Sequence, residues 1–172
     1  MAGSGSGPAC RLQGLGKSFA AAGRTVHALR EVEATVSRGQ VTGLVGPDAA
    51  GKTTLMRLCV GLLLPDAGRV EVLGRAVAED AQEVQSLVGY MPQRFGLYED
   101  LSVRENLDLY ADLRNLEPAE RPGRYEALLQ MTGLGPFTGR LAGALSGGMK
   151  QKLGLACALV KPTPMLVLDE PT

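Results

Sequence analysis

The stretch GPDAAGKTT, Gly46 to Thr54, decides how this chain is to be read. Gly46 and Gly51 bracket Pro47, Asp48, Ala49 and Ala50, and Lys52, Thr53 and Thr54 follow. The spacing is G-x-x-x-x-G-K-[ST]. Upstream, GQVTGLVG (Gly39 to Gly46) is a short apolar run between glycines and reads as a buried strand. Downstream, GKTTLMRLCVGLL places Leu55, Leu58 and Leu62 near helical spacing, and LPDAG ends that helix. A loop between such a strand and such a helix suits a cluster of phosphates. Backbone N–H groups converge on an anion only where the chain curls tightly, which glycine permits. A helix starting near Gly51 adds the positive end of its dipole. Lys52 then reaches the β- and γ-phosphates as a point charge, and the Thr53 hydroxyl suits Mg²⁺, a hard cation that prefers oxygen.

Bulk properties narrow the context. The chain has 172 residues, enough for one domain with a real core. Lys plus Arg is 18 and Asp plus Glu is 18, so the formal charge is zero, against the basic excess of a general nucleic-acid binder. Cys10, Cys59 and Cys157 show no metal-ligand spacing and read as reduced thiols in a cytosolic protein. No apolar run approaches the roughly 20 residues that span a bilayer. The start, MAGSGSGPAC, lacks the regions of a signal peptide and reads as a flexible tail over residues 1–10. A membrane part would have to come from another chain.

Around the loop, Arg11 to Phe19, Ala28 to Val36 and RVEVLG alternate as strands do, and Leu87 to Met91 is a further short strand. SVRENLDLYADLRNL opens with Ser102 and Glu105 at capping-box spacing, with Leu107, Tyr110, Ala111 and Leu113 as an apolar face. PAERPGRYEALLQMTGL reads as a second helix with a break at Pro122 and Gly123. Residues 101–143 thus form a helical block inserted in a strand-rich frame. A helix from Ser146 to Val160 and a buried strand from Met165 to Asp169 complete the reading.

Three further segments carry chemistry. MLVLDEPT is an apolar strand delivering two acids to its C-terminal edge, where open α/β sheets bind ligands. Asp169 suits Mg²⁺ and Glu170 suits polarising a water; an ordinary acidic turn is the plain alternative. LSGGM sets Ser146, Gly147 and Gly148 at a helix start, a second anion-binding N-terminus or simply a serine cap. A second such site makes sense if it serves the nucleotide of another subunit. Gln93 in YMPQRFGLYEDLSVRENL follows a strand and a proline at the seam with the helical block. Its amide suits Mg²⁺ or the attacking water; a surface glutamine is the alternative.

With GPDAAGKTT, MPQ, LSGGM and MLVLDEPT in that order and the helical block between the second and third, the chain resembles the ATP-binding cassette (ABC) transporter ATPases from about Arg11 onward. GLYEDLSVRENL and LSGGMKQKLGLACAL look most like the multidrug exporter branch, some of whose members carry two cassettes in one chain. The resemblance implies an α/β fold: a P-loop NTPase core sheet with an N-terminal antiparallel β subdomain and an inserted α-helical subdomain, incomplete at the C-terminus. Residues 11–172 would be a partial ATP-binding domain. It implies ATP and Mg²⁺ as ligands, with Thr53, Gln93 and Asp169 near the metal, and Glu170 as catalytic base with Gln93 sensing the γ-phosphate. Phe19 matches the aromatic that stacks on adenine. Two cassettes stack head to tail, as a homodimer or a tandem pair, so Ser146, Gly147 and Gly148 act on the partner's γ-phosphate. The other partner implied is an integral-membrane permease, with the chain peripheral on the cytoplasmic face of the membrane.

The departures are specific. Asp48 stands where Asn is common, Ala49 where Gly is common, and Met149 where the signature usually has Gln. The D-loop and the later histidine of the family are not in this sequence, and His27 reads as a surface residue upstream of the loop. On that basis the 172-residue chain is expected to bind Mg-ATP, to hydrolyse it poorly, to be weakly stable and to self-associate. A cassette acting on ribosomes or nucleic acid is the alternative class, disfavoured by the neutral charge and the permease-type segment after Gln93.

Overall fold

The computed structural model describes residues 7–21, 23–93 and 96–170. The chain divides into two compact units, Met1–Val88 and Gly89–Thr172.

The first unit is built on a four-stranded antiparallel sheet in the order β2-β1-β3-β4. β1 (Cys10–Ala21) and β2 (Arg24–Val36) contain the alternating stretches Arg11 to Phe19 and Ala28 to Val36 and extend beyond them, β3 (Ala67–Val72) takes in the RVEV of RVEVLG, and β4 (Arg75–Ala76) is a two-residue edge. Cys10 lies opposite Val36 on one side and Val72 on the other. Leu12, Leu15, Val70 and Val72 are buried by this arrangement. Packing begins inside the stretch read as a tail: Ala9 and Cys10 are buried, and the Ala9 N–H donates to the Val36 carbonyl at 2.8 Å. Residues 1–6 lie outside the described residues.

α1 (Lys52–Cys59) packs on β2 and β3 with Leu58 fully buried. It stops before Leu62, which the spacing had placed on its apolar face and which is 52% exposed. The reason is Gly61: at φ 72° it turns the chain left-handed, and the N–H groups of Leu62 and Leu63 fold back onto the Arg57 carbonyl. α2 (Val77–Leu87) has no counterpart in the sequence reading. Its buried stripe is only Val77 and Val84, too narrow to announce a helix.

The run Gly39 to Gly46 is not a strand. Residues 41–47 have no regular structure, and Val41 and Val45 are 103% and 94% exposed. A buried strand needs neighbours that satisfy its N–H and C=O groups and cover both faces. No strand among the described residues pairs with this one.

In the second unit, α3 (Val103–Leu113), α4 (Arg121–Thr132) and α5 (Gly147–Ala158) close on one apolar cluster. Leu107, Ala111, Tyr125, Leu128, Leu153 and Ala156 lie within it. Ser102 and Glu105 form the expected capping box. The buried face of α3 includes Val103 rather than Leu113, which is 64% exposed. α4 runs unbroken through Pro122 and Gly123, because proline in a first helical turn forfeits no hydrogen bond. Arg124 Nε donates to the carbonyls of Leu159 and Val160 at 3.1 and 3.2 Å, satisfying groups that the end of α5 leaves open. β5 (Val88–Met91) and β6 (Met165–Leu168) form a two-stranded sheet. β6 had read as a buried strand; it is only half-buried, with Leu166 38% exposed, since one neighbour covers one edge.

Candidate functional site

The loop ahead of α1 has the backbone that its sequence demands. Gly51 is the N-cap of α1 at φ 88°, and no side chain caps the helix. A Cβ at Gly51 would lie 2.5 Å from the Ala28 carbonyl oxygen, so both conformation and space require glycine. With no side-chain cap in the way, the start of the helix is a place where an anion can approach. Ala49 also sits left-handed, at φ 61°. Alanine there costs about 1 kcal/mol relative to glycine. Gly46, Pro47, Asp48, Ala49 and Ala50 are exposed, while Lys52, Thr53 and Thr54 are half-buried. Lys52 Nζ donates to the carbonyls of Gly46 and Pro47, each at 2.8 Å. The ammonium therefore bridges the two ends of the curl, at the entrance to the uncapped helix.

Phe19, also in the first unit, lies on β1 and is 39% exposed, with Lys17 Nζ 5.7 Å from its ring centroid. Asp66 anchors this end of the strand. Its carboxylate takes the Lys17 ammonium at 2.6 Å and the Ser18 N–H at 2.7 Å. Lys17 first, and the Ser18 amide second, hold the Asp66 carboxyl below the usual carboxylate range. His27 lies exposed on β2, its Nδ1 2.9 Å from the Ser18 hydroxyl, as a surface strand residue.

The second unit gathers three of the candidate residues. β6 delivers Asp169 and Glu170 at its C-terminal end, as the sequence pattern implied. Asp169 is 1% exposed; its N–H donates to the Met91 carbonyl at 2.9 Å, and the Tyr90 hydroxyl lies 3.4 Å from its Oδ2. Glu170 stands at φ 51°. Gln93 Nε2 donates to Glu170 Oε2 at 2.5 Å. The amide and the exposed carboxylate are thus partners, with the buried carboxylate one residue away. Tyr90 was not singled out from the sequence: a hydroxyl that touches an acid from the neighbouring strand leaves no local pattern.

Ser146, Gly147 and Gly148 open α5. The Ser146 hydroxyl accepts the Met149 N–H at 3.4 Å, so the plain capping role is realised. A Cβ at Gly147 or Gly148 would meet nothing within 4 Å, which leaves their backbone open to approach. One turn into α5, Lys150 Nζ is 2.6 Å from Glu99 Oε1, and the Gly143 N–H donates to the Glu99 carbonyl at 2.9 Å. The same segment is fastened from below by Asn106, fully buried on α3. Its Nδ2 donates to the carbonyls of Tyr98, Leu101 and Ser102 at 3.0, 3.2 and 3.0 Å, and its Oδ1 accepts the Tyr98 N–H at 3.0 Å. The chain just after Gln93 is therefore tied to the helix that Ser146 opens. Sequence reasoning missed this coupling; Asn106 in a helix was the one clue, a polar residue next to the apolar face.

The arrangement defines an α/β nucleotide-binding protein of the P-loop class, with an inserted helical unit. More narrowly, the chain belongs to the ABC transporter family, which it matches over residues 29–172. It is 56% identical over 160 residues to the probable multidrug ABC transporter ATP-binding protein YbhF of Escherichia coli K12, across 93% of this chain and 27% of that one. It is 40% identical over 145 residues to the daunorubicin resistance ATP-binding protein DrrA3 of Streptomyces coeruleorubidus, across 84% of this chain and 46% of that one. The chain thus spans about a quarter to a half of the length of these relatives. Its fold matches the dimeric structure of a bacterial ABC transporter cassette with a TM-score of 0.85 at 26% identity, covering 95% of this chain and 74% of the other. Among the described residues no helix is long and apolar enough to cross a membrane.

Proposed function

We propose that this chain binds Mg-ATP, and hydrolyses it slowly, as the ATP-binding part of a multidrug-type exporter. The observation that carries the reading is the uncapped N-terminus of α1 behind a left-handed glycine, with Lys52 already drawn across the loop. Lys52 exchanges its two carbonyls for the β- and γ-phosphate oxygens, and the helix amides receive the remaining charge. Phe19, exposed on β1, stacks on the adenine.

Among the described residues no three His, Cys, Asp or Glu gather to hold a metal by themselves. Mg²⁺ takes few protein ligands and completes its shell with phosphate and water oxygens. Asp169, Thr53 and the Gln93 amide oxygen are the hard donors in this chain that would hold it, and the ion would neutralise charge on the phosphates. Glu170 orients and deprotonates the attacking water, and the Gln93 amide, 2.5 Å away, holds its carboxylate in place. The exposed amides of Gly147 and Gly148 with the Ser146 hydroxyl face the nucleotide of a second cassette, in the same chain or another copy. The Glu99–Lys150 pair and Asn106 pass a displacement after Gln93 on to α5. The permease is a separate integral-membrane subunit, engaged from the cytoplasmic side, and it sets the substrate.

Titration with a fluorescent ATP analogue in Mg²⁺ tests the reading. Lys52→Ala is expected to weaken binding at least ten-fold. Glu170→Gln is expected to keep binding and lose turnover. Unchanged affinity in Lys52→Ala, with its fold intact by circular dichroism, would overturn it.

A further inference from the structure

The nucleotide site leaves Cys10 and Cys59 unused, yet the first unit brings their sulfurs to 3.7 Å across 49 positions of sequence. Cys10 opens β1 between β2 and β3 and is 1% exposed. Cys59 is the last residue of α1 and only half-buried. Both are free thiols. Contact with Cys59 holds the Cys10 thiol below its ordinary value, and contact with Cys10, then burial, pushes Cys59 up. Cys157, the remaining cysteine, is enclosed in the helical cluster, where burial pushes its thiol up to about 12.

We propose that Cys10 and Cys59 are a redox-modification site: a reversible disulfide between them fastens the C-terminal end of α1 to the central strand β1. A disulfide of about 2.05 Å requires the sulfurs to close by roughly 1.6 Å, within reach of a side-chain rotation. A small-molecule disulfide such as oxidised glutathione is the oxidant. The Cys59 thiolate, on the accessible side, attacks one glutathione sulfur, forms a mixed disulfide and releases one glutathione thiolate. The Cys10 thiolate then attacks the Cys59 sulfur, forms the intramolecular bond and releases the second. Two protein thiols lose two electrons, and one glutathione disulfide becomes two thiols, which take up the two protons. The raised value at Cys59 makes the first exchange slow, and Cys10, with its sulfur already 3.7 Å away, is placed to resolve the intermediate. The bond acts at the opposite end of α1 from Lys52 and Thr53, so oxidation stiffens the helix that presents the phosphate loop.

The test is to treat the full chain with oxidised glutathione at neutral pH, alkylate without reduction and map the digest by mass spectrometry. The expected result is a Cys10–Cys59 cross-linked peptide, lighter by two hydrogens than its parts and lost on adding dithiothreitol, with Cys157 still reduced. Amide hydrogen exchange in α1 slows in the oxidised form and recovers on reduction. In Cys10→Ser, Cys59 stops at the glutathione adduct. A stable adduct at Cys59 without cross-linking in the native chain would overturn the site. A cross-link that leaves exchange in α1 unchanged would overturn the stiffening.

Discussion

Residues 41–47 and residues 98–106 each border a candidate functional segment, and each carries apolar side chains. The first run leads into the phosphate loop and leaves Val41 and Val45 almost wholly exposed. The second follows Gln93, and its irregular part, residues 98–102 ahead of α3, is held by the four hydrogen bonds of Asn106, the Gly143 amide and the capping box on α3. Irregular chain can be buried when side chains satisfy its polar groups, whereas an apolar run without a neighbouring strand cannot. The helical unit therefore closes on its own core, while the run into the loop, with no strand beside it among the described residues, lies open to solvent.

The largest test of that contrast is Leu107→Ala, which opens a cavity in the helical cluster. It is expected to cost about 2–5 kcal/mol in chemical denaturation. A loss under 1 kcal/mol would mean the cluster is loosely packed. Next, Asn106→Ala leaves the Tyr98 amide without its acceptor and removes one of two donors from the carbonyls of Tyr98, Leu101 and Ser102, at about 1–3 kcal/mol by the same measurement. It should also speed hydrogen exchange at residues 98–102 while leaving that at α1 alone. A smaller effect concerns pH. The Ser102 hydroxyl, and then its amide, hold the Glu105 carboxyl below its ordinary value. A depressed carboxyl stabilises the fold above the unfolded value, near 4.3, and that contribution is lost as pH falls through the lower folded value. Glu105→Gln should therefore narrow the drop in melting temperature between pH 7 and pH 3. An unchanged drop would remove the capping box from the acid response. The smallest expected effect is Val41→Lys, within about 0.5 kcal/mol of the native chain because the site is open to solvent. A cost of several kcal/mol would show that this run is buried in solution, and the contrast would fail.

Much of the site was legible because its chemistry is local. Gly51 needs its left-handed backbone one residue before Lys52, and Asp169 and Glu170 end a strand together, so short spacing carries the signal. Ala49 stands where the family commonly has Gly, and its backbone is left-handed, a conformation glycine adopts more readily. Asn106, Tyr90 and the Glu99–Lys150 pair act across elements, and no spacing along the chain reveals them. The Cys10–Cys59 contact is of the same kind: as sequence these were two unrelated thiols.

What the residues determined by themselves is the phosphate loop, the capping of α3 and the order of the motifs, because each rests on groups within a few positions of one another. The tertiary structure alone decided that residues 41–47 are not a strand, that α1 ends at Cys59, and that Gln93 meets Glu170. Strand formation and side-chain pairing depend on what lies alongside in space, and burial of an apolar run is a property of its neighbours as much as of its own side chains.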